Sequence, residues 1–476
     1  MAKFDFKTKL PFGEMFLVKS SEIEGRIDID FYRPNLTEIE KKILAKSKKR
    51  LKDFALSMGS GATPSTTNPE FYSDKNGIPL LRVQNLTLNS TVELNNLKYI
   101  TEDVHENMLK RSQVTDQDLL VKITGVGRMA VAAVPPKEFS GNVNQHIVVV
   151  RTGSREKSLY LANYLNLDVI EKLASRRVTG GTRPALDYPA LRSIPIIEDI
   201  DFSILENAKK QANQLKQQAK TLLNSINSYL LGELGITLPE TDNSLNSRMF
   251  TVQMSEVGGG RIDPAMALYF NKIILSCHYP TKPIKEFLLS KPQYGMAESG
   301  IDRLDNSSLR YIRITDIDEY GNLSNNLGVS AEVDNSEYPK FKLHNNDILV
   351  ARSGSVGKCY IHKSDMIDYP CVFAGYMIRL KFDETKLLPD YFFVISQTDF
   401  FKSWINAIQR VAVQANINAE EYSNFFIPVI SIEHQQKIIG HYQKIASQAA
   451  ALQAEAEQLL NQAKAEIEQM ILGGGE

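Results

Sequence analysis

Asp118-Leu119-Leu120-Val121, running into the turn Thr124-Gly125-Val126-Gly127-Arg128, is written a second time as Asp347-Ile348-Leu349-Val350 before Ser353-Gly354-Ser355-Val356-Gly357-Lys358. Working outward, the pairing continues on both sides. Arg26-Ile27-Asp28 with Phe31-Tyr32 returns as Arg261-Ile262-Asp263 with Tyr269-Phe270. Leu81-Arg82-Val83 returns as Ile312-Arg313-Ile314, Asn163-Tyr164 as Asp390-Tyr391, and Ile194-Pro195 as Ile427-Pro428. The order is preserved and the offset stays at about 230 residues, a period of duplicated domains rather than of a solenoid. One such match means little; the ordered series means a tandem duplication.

Each copy ends alike. After Ile194-Pro195, apolar residues step by three and four through Leu205, Ala208, Ala212, Leu215, Ala219, Leu222, Ile226 and Tyr229. After Ile427-Pro428 the same stepping runs through Ile438, Tyr442, Ile445, Ala449, Leu452, Ala456, Leu459, Ala463, Ile467 and Met470. That spacing keeps one apolar seam on one face of a helix, and the alanines permit close approach. At 1.5 Å per residue the helices should run roughly 35 to 50 Å. Gly232 with Gly235, and Gly473 to Gly475, are the expected stops. The simplest arrangement packs the two helices on each other, antiparallel.

Ahead of each long helix lies mixed structure. Ile147 to Val150, Ile348 to Val350 and Tyr376 to Leu380 read as strands, and Tyr160 to Ala174 and Leu388 to Ala407 as helices. The expected class is α/β (α+β): two similar mixed domains joined by two long antiparallel coiled-coil helices, a pseudo-twofold tandem repeat. The expected boundaries are a first domain with an N-terminal arm at 1–199, a long helix at 200–236, a second domain at 237–430 and a second long helix at 431–476.

At 476 residues, 43% of them hydrophobic, the chain is long enough for several packed cores. Lys and Arg (55) nearly balance Asp and Glu (56), so whole-chain charge points to no particular partner; a basic patch can still be local. The three cysteines show no paired metal spacing, and Cys277-His278 alone does not make a zinc site. No metal is expected. Residues 1–10 lack the apolar run of a signal peptide, and no stretch approaches the roughly 20 apolar residues of a membrane helix, so a cytoplasmic location is expected.

Signatures of chemistry are missing. The one Pro-Pro, in Val134-Pro135-Pro136-Lys137, lacks the flanks of an amino-methyltransferase motif. Arg352 to Cys359 has the look of a phosphate loop but lacks its first Gly, and Cys359 stands where Ser or Thr would hold magnesium. No catalytic residues are expected.

Base edges are matched by Arg, Lys, Asn, Gln, Ser and Thr, and the recurring turns are rich in these. Candidate DNA contacts in the first copy are Arg82, Gln84, Asn85, Lys122, Thr124, Arg128, Asn144, Gln145, Arg176, Arg177, Thr182 and Arg183, with His146 beside them and Gly180-Gly181 next to the last pair. In the second copy they are Arg313, Thr315, Arg352, Ser353, Ser355, Lys358, Arg410, Gln414 and Asn416. The competing readings are structural: salt bridges for Arg82 and Arg313, a helix C-terminus for Arg176-Arg177, a plain polar turn for Asn144 to His146. The copies differ most in these polar turns while agreeing in the apolar framework.

This ordered combination resembles the specificity subunit of type I restriction-modification systems. The resemblance rests on the tandem plan, the paired heptad helices, and the motifs Leu80-Leu81-Arg82-Val83-Gln84-Asn85, Tyr311-Ile312-Arg313-Ile314-Thr315-Asp316 and Asp347 to Gly354. Gly180-Gly181-Thr182-Arg183 to Ile194-Pro195 is similar to the family's junction between domain and helix; the second copy has Val413-Gln414-Ala415-Asn416 instead, without the Gly pair. The resemblance implies two target-recognition domains, each reading half of a bipartite sequence in double-stranded DNA, with the helices as a ruler. It implies two methyltransferase (modification) subunits docked along the helices at Leu215, Leu222, Ile226, Leu452, Leu459 and Ile467. Restriction/translocase subunits would join them. S-adenosylmethionine, ATP and Mg are expected on those partners, with no cofactor in this chain. A protein-interaction scaffold with two binding domains on a coiled-coil spacer is the alternative; a stand-alone modification enzyme is disfavoured by the missing motifs.

Overall fold

The computed structural model describes residues 16–23, 26–73, 76–125, 127–180, 184–238, 251, 264–409 and 415–473. The chain divides into two compact units, one of residues 1–214 with 455–476 and one of residues 215–454.

In the first unit an antiparallel sheet runs in the order β1 (Ser57–Ser60), β9 (Ile147–Arg151), β6 (Leu119–Lys122), β7 (Ala132–Ala133). A second sheet runs β2 (Tyr72–Ser73), β4 (Lys98–Ile100), β3 (Ile78–Leu81), β8 (Ser140–Val143), β5 (Gln113–Thr115), with β3 and β8 parallel. The second unit repeats both. Its first sheet is β11 (Gln293–Tyr294), β18 (Met377–Leu380), β15 (Ile348–Ala351), β16 (Cys359–Ile361). Its second is β12 (Ile301–Asp302), β14 (Val329–Ser330), β13 (Arg310–Ile312), β17 (Cys371–Phe373), again with one parallel pair, β13 and β17. A short ladder of β10 (Thr281–Pro283) with β19 (Phe426–Pro428) closes the second unit, where the first has the single bridge Arg50 to Pro195. The registers match as well: Lys122 faces Ile147, and Ala351 faces Met377.

The repeated Asp that opens β6 and β15 has the same task twice. Asp118 accepts from the Thr115 backbone N–H at 2.7 Å and pairs with Arg151 at the end of β9. Asp347 accepts from the His344 N–H at 3.0 Å and pairs with Arg379 on β18 at 3.3 Å. Each carboxylate closes a tight turn before a buried strand, then neutralises a cation delivered by the neighbouring strand. Apolar packing does the rest: in the second unit Trp404, Phe400, Phe401, Phe392, Tyr422 and Phe425 form one aromatic cluster, each almost fully buried.

The long helices are Ser203–Leu234 and Ile432–Leu472. At 1.5 Å per residue the first is about 48 Å and the second about 62 Å, the latter beyond the expected range because the helix begins before its first seam residue. Gly235, in the left-handed region at φ 63°, ends the first helix, and Gly473 at φ 76° ends the second; Gly232 lies inside its helix and stops nothing. The two run antiparallel. In the second unit Glu233 bonds His434 at 2.8 Å and Lys437 at 3.0 Å, and Tyr229 stacks on His441 at 3.8 Å. In the first unit Lys464 lies close enough to Arg128 and Lys209 that their repulsion adds to burial in lowering its pKa. Ala212, Ala219, Ala456 and Ala463 are buried along the seam. Toward the end of the second helix the seam moves from the expected Leu459 and Met470 to Leu460 and Ile471, both buried. A straight helix of 3.6 residues per turn drifts against a strict seven-residue pattern.

Both expected domain helices are interrupted. Tyr160 to Ala174 is two helices, Arg155–Leu165 and Asp168–Ser175; Leu388 to Ala407 is likewise Pro389–Ser396 and Asp399–Ile408. At the first break the Asn166 side chain grips strand β7, accepting from the Ala132 N–H at 3.0 Å and donating to its carbonyl at 2.7 Å. Beyond each break a long helix supplies the N-terminal cap. Glu468 accepts from the backbone N–H groups of Asp168 and Val169, and Asn227 from that of Asp399 at 2.7 Å. No helix among the described residues is long and apolar enough to cross a membrane.

Replacing Asp347 by Ala strands Arg379 beside a buried turn. The unfolding free energy in urea should fall by about 3 kcal/mol, the low end for a broken buried pair, because the Lys340 and Lys342 carbonyls still accept from the guanidinium.

Candidate nucleic-acid interface

The polar residues proposed from sequence sort by what their side chains touch. Arg176 and Arg177 are not surface residues. Both are buried on Glu40 of the helix Pro34–Lys46, Arg176 at 3.0 Å, and Arg176 lies over the Phe31 ring at 4.3 Å. Arg177 also bonds the Leu173 carbonyl at 2.7 Å and the Ser193 hydroxyl at 2.9 Å. They lock the N-terminal arm to the first unit. The same contact holds Phe31, whereas its counterpart Tyr269 stacks on Phe400.

Arg82 and Arg313 occupy matching positions. Each backbone N–H is held by the side chain three residues on, Asn85 or Asp316, at 2.9 Å. Asn85 is buried, and its amide serves the Glu93 and Asn95 carbonyls, so it braces a turn and offers nothing to a ligand. The Arg313 guanidinium is tied to Asp316 at 3.1 Å; Arg82, facing a neutral Asn85, turns to the Asn96 carbonyl at 2.8 Å. Lys358 donates to the Ile317 carbonyl at 2.7 Å, and Arg128 to Asp168 at 2.5 Å and the Asn166 carbonyl at 2.6 Å. Lys122 is buried in β6, which depresses its pKa, and Asn144 is buried beside it in the fold. These expected contacts are structural. Buried side chains cannot reach a base edge, and each of these cations commits at least one donor to the fold.

Of the remainder, Gln84, Thr315, Gln145, Ser355 and Asn416 are exposed, and Thr124, Arg352 and Ser353 half-buried. Thr182, Arg183, Arg410 and Gln414 lie outside the described residues. On the long helices Ile226 and Ile467 are buried within the chain, and Leu222 packs against the core of the second unit. These three face inward, not toward a partner; Leu215, Leu452 and Leu459 keep part of their surface.

Three of the accessible residues meet at one end of the β15 and β18 pair. A cleft of about 690 Å³ is lined by Arg352, Ser353, Tyr376, Asn416, Glu298 and Tyr311, among others. Ser353 bridges to Asn416, the Arg352 N–H donates to the Tyr376 carbonyl at 2.9 Å, and the Arg352 carbonyl accepts from Ile417 at 2.8 Å. The first unit has the same ladder. Thr124 bridges to Ala185, the Ile123 N–H donates to the His146 carbonyl at 3.0 Å, and the Ile123 carbonyl accepts from Leu186 at 2.8 Å. Arg352 therefore corresponds to Ile123, Ser353 to Thr124, Tyr376 to His146 and Asn416 to Ala185.

One wall of each cleft is set by a glycine. A Cβ on Gly61 would lie 2.0 Å from the Val143 carbonyl oxygen, and one on Gly295 2.3 Å from that of Ala374, so backbone passes backbone with no room for a side chain. The next segment then presents Thr63, which bonds Gln145, in the first unit, and Ala297 in the second. Thr124 bonds His146 at 2.5 Å. Sequence reasoning missed Tyr294, Tyr376 and Glu298; the signal for Tyr376 was its place just before β18, matching that of His146 before β9. Among the described residues no cluster of three or more His, Cys, Asp or Glu could hold a metal ion.

The scaffold is thus a duplicated α/β framework that repeats one main-chain ladder and changes its side chains. Residues 298–463, about a third of the chain, match the family model for the type I restriction modification DNA specificity domain. The chain also resembles a specificity subunit of these systems over part of its length. It is 25% identical over 168 residues to the type I restriction enzyme EcoBI specificity subunit of Escherichia coli, a match covering 35% of this chain and 34% of that relative, about a third of its length. Two solved structures, each covering 89% of this chain, are also similar. One comes from a study of complex assembly and conformational transition in the type I R-M system (14% identical, 95% of that chain, TM-score 0.40). The other is the type I restriction-modification S subunit from M. genitalium (12% identical, 94% of that chain, TM-score 0.36).

Arg177→Ala should behave as a folding variant. Removing it takes one cation and two internal hydrogen bonds from a buried site in which Glu40 keeps Arg176, and the first unit should lose about 3 kcal/mol, the low end for a broken buried pair, in a denaturant titration. A variant of undiminished stability with altered DNA preference would return Arg177 to the interface.

Proposed function

We propose that this chain is the DNA-specificity subunit of a type I restriction-modification complex and catalyses nothing itself. Each unit reads one half of a bipartite duplex target, and the antiparallel helices, both of which pass from one unit into the other, fix the gap. Half-sites one turn apart, roughly 34 Å, suit helices of this length. The observation that carries the reading is the repeated main-chain ladder, with Ile123, Thr124, His146 and Ala185 in one copy and Arg352, Ser353, Tyr376 and Asn416 in the other. A shared framework with exchanged donors and acceptors is what reading two different half-sequences requires. The specificity-domain match over residues 298–463 supports it.

On this reading two modification subunits dock along the half-exposed helix positions Leu215, Leu452 and Leu459 and bring S-adenosylmethionine. Restriction/translocase subunits bring ATP and Mg, and the complex works in the cytoplasm. Deleting the heptad Ala449 to Glu455 shortens the second helix by about 10 Å. Methylation mapping with the partner subunits should then show an altered or lost gap with both half-site sequences retained; altered half-sites with the gap unchanged would sink the ruler. Duplex binding should also weaken steeply with salt as counterions are released. A flat salt response would favour the protein scaffold.

A further inference from the structure

Arg352 is set apart from the other cations in the recurring turns. Arg82, Arg128, Arg176, Arg177, Arg313 and Lys358 all spend their charged ends on carbonyls or carboxylates of the fold, and Lys122 is buried. Among the described residues the Arg352 guanidinium has no hydrogen bond and no ion pair; its Nε is buried without a partner. What it has is a platform: the guanidinium lies over the Tyr294 ring with its carbon 4.9 Å from the centroid. Tyr294 is itself fixed, its hydroxyl accepting from the Ala419 N–H at 3.1 Å at the start of a helix. The Arg352 backbone is held on both sides by the ladder to Tyr376 and Ile417. Stacking restrains a guanidinium while leaving its in-plane donors unused. The fork is held in place, desolvated on one face, and open to the cleft that it shares with Ser353, Asn416 and the exposed Tyr376.

A fixed fork of donors bonded to no acceptor among the described residues calls for a ligand offering two acceptors side by side. In the major groove that is guanine, through O6 and N7. We propose that Arg352 is a specificity-determining residue of the second unit and reads a guanine in its half-site by a bidentate contact, with Tyr294 as its positioning residue. Ile123, at the same place in the first unit, cannot make that contact. The first half-site is therefore read there by Thr124, His146 and Gln145, and carries no guanine requirement of this origin. This rests on the chain being a DNA-specificity subunit.

The test uses the chain assembled with its modification partners. The methylated target is mapped first; binding is then measured to duplexes carrying 7-deazaguanine at each guanine in turn. Loss of N7 at one guanine of one half-site should weaken binding by about 5- to 100-fold, the range for a bidentate pair. In Arg352→Ala that same guanine should become interchangeable while the other half-site keeps its preference. Arg352→Lys retains the charge and guards against a folding defect: it should keep affinity for non-target duplex and its salt dependence, yet lose most of the discrimination. Unchanged base preference in both variants, or a wild-type complex insensitive to N7 at every guanine, overturns the proposal and leaves the specificity role standing. A wild-type complex with no sequence preference at all would instead remove the reading beneath it.

Discussion

The structure depends on a reciprocal loan between long helices and folded units. The first helix begins in one compact unit and ends in the other, where Asn227 caps the helix starting at Asp399. The second makes the reverse journey and ends with Glu468 on the N–H groups of Asp168 and Val169. A helix start has four unsatisfied N–H groups, and a side chain that serves them contributes about 1 kcal/mol. More important is geometry. The capped helices follow directly on those that cover β6 with β7 and β16, so each long helix is coupled to the sheet whose rim forms a cleft.

Within each unit the cleft is a product of main-chain constraint. The paired aspartates Asp118 and Asp347 fix where β6 and β15 begin, and the ladders to β9 and β18 fix where they end. Gly61 and Gly295 let a neighbouring strand run against bare carbonyls. None of these requirements involves the residues that face the cleft, which leaves those positions open to change without cost to the fold. Ile123 against Arg352 and His146 against Tyr376 are such changes.

Cations are where the reading of sequence and the structure parted most. Arginines near glycines in recurring turns have the right chemistry for DNA, yet most are consumed inside the protein. Arg176-Arg177 answers a single buried carboxylate, Glu40, and Arg313 answers Asp316. Nothing in the spacing could have revealed the first of these, because the partner of Arg177 lies 137 residues away; Asp316 is three residues from Arg313, and the salt bridge there is the structural alternative that the sequence offered. A surplus donor can be recognised only by subtracting every acceptor that folding brings near.

The amino-acid sequence by itself determined the duplication, the two long helices and their seam, and the mixed α/β class, since repeats and apolar periodicity are local properties of the chain. It placed strands from Ile147, Ile348 and Tyr376 for the same reason, the last starting one residue before the observed β18. Only the tertiary structure decided that each domain helix breaks in two, that the seam drifts to Leu460 and Ile471, and which polar side chains remain unspent. Those outcomes depend on contacts between residues far apart in the chain: an Asn166 amide on a strand edge, a cap from the far end of a long helix, a guanidinium left over a tyrosine ring with no bond among the described residues.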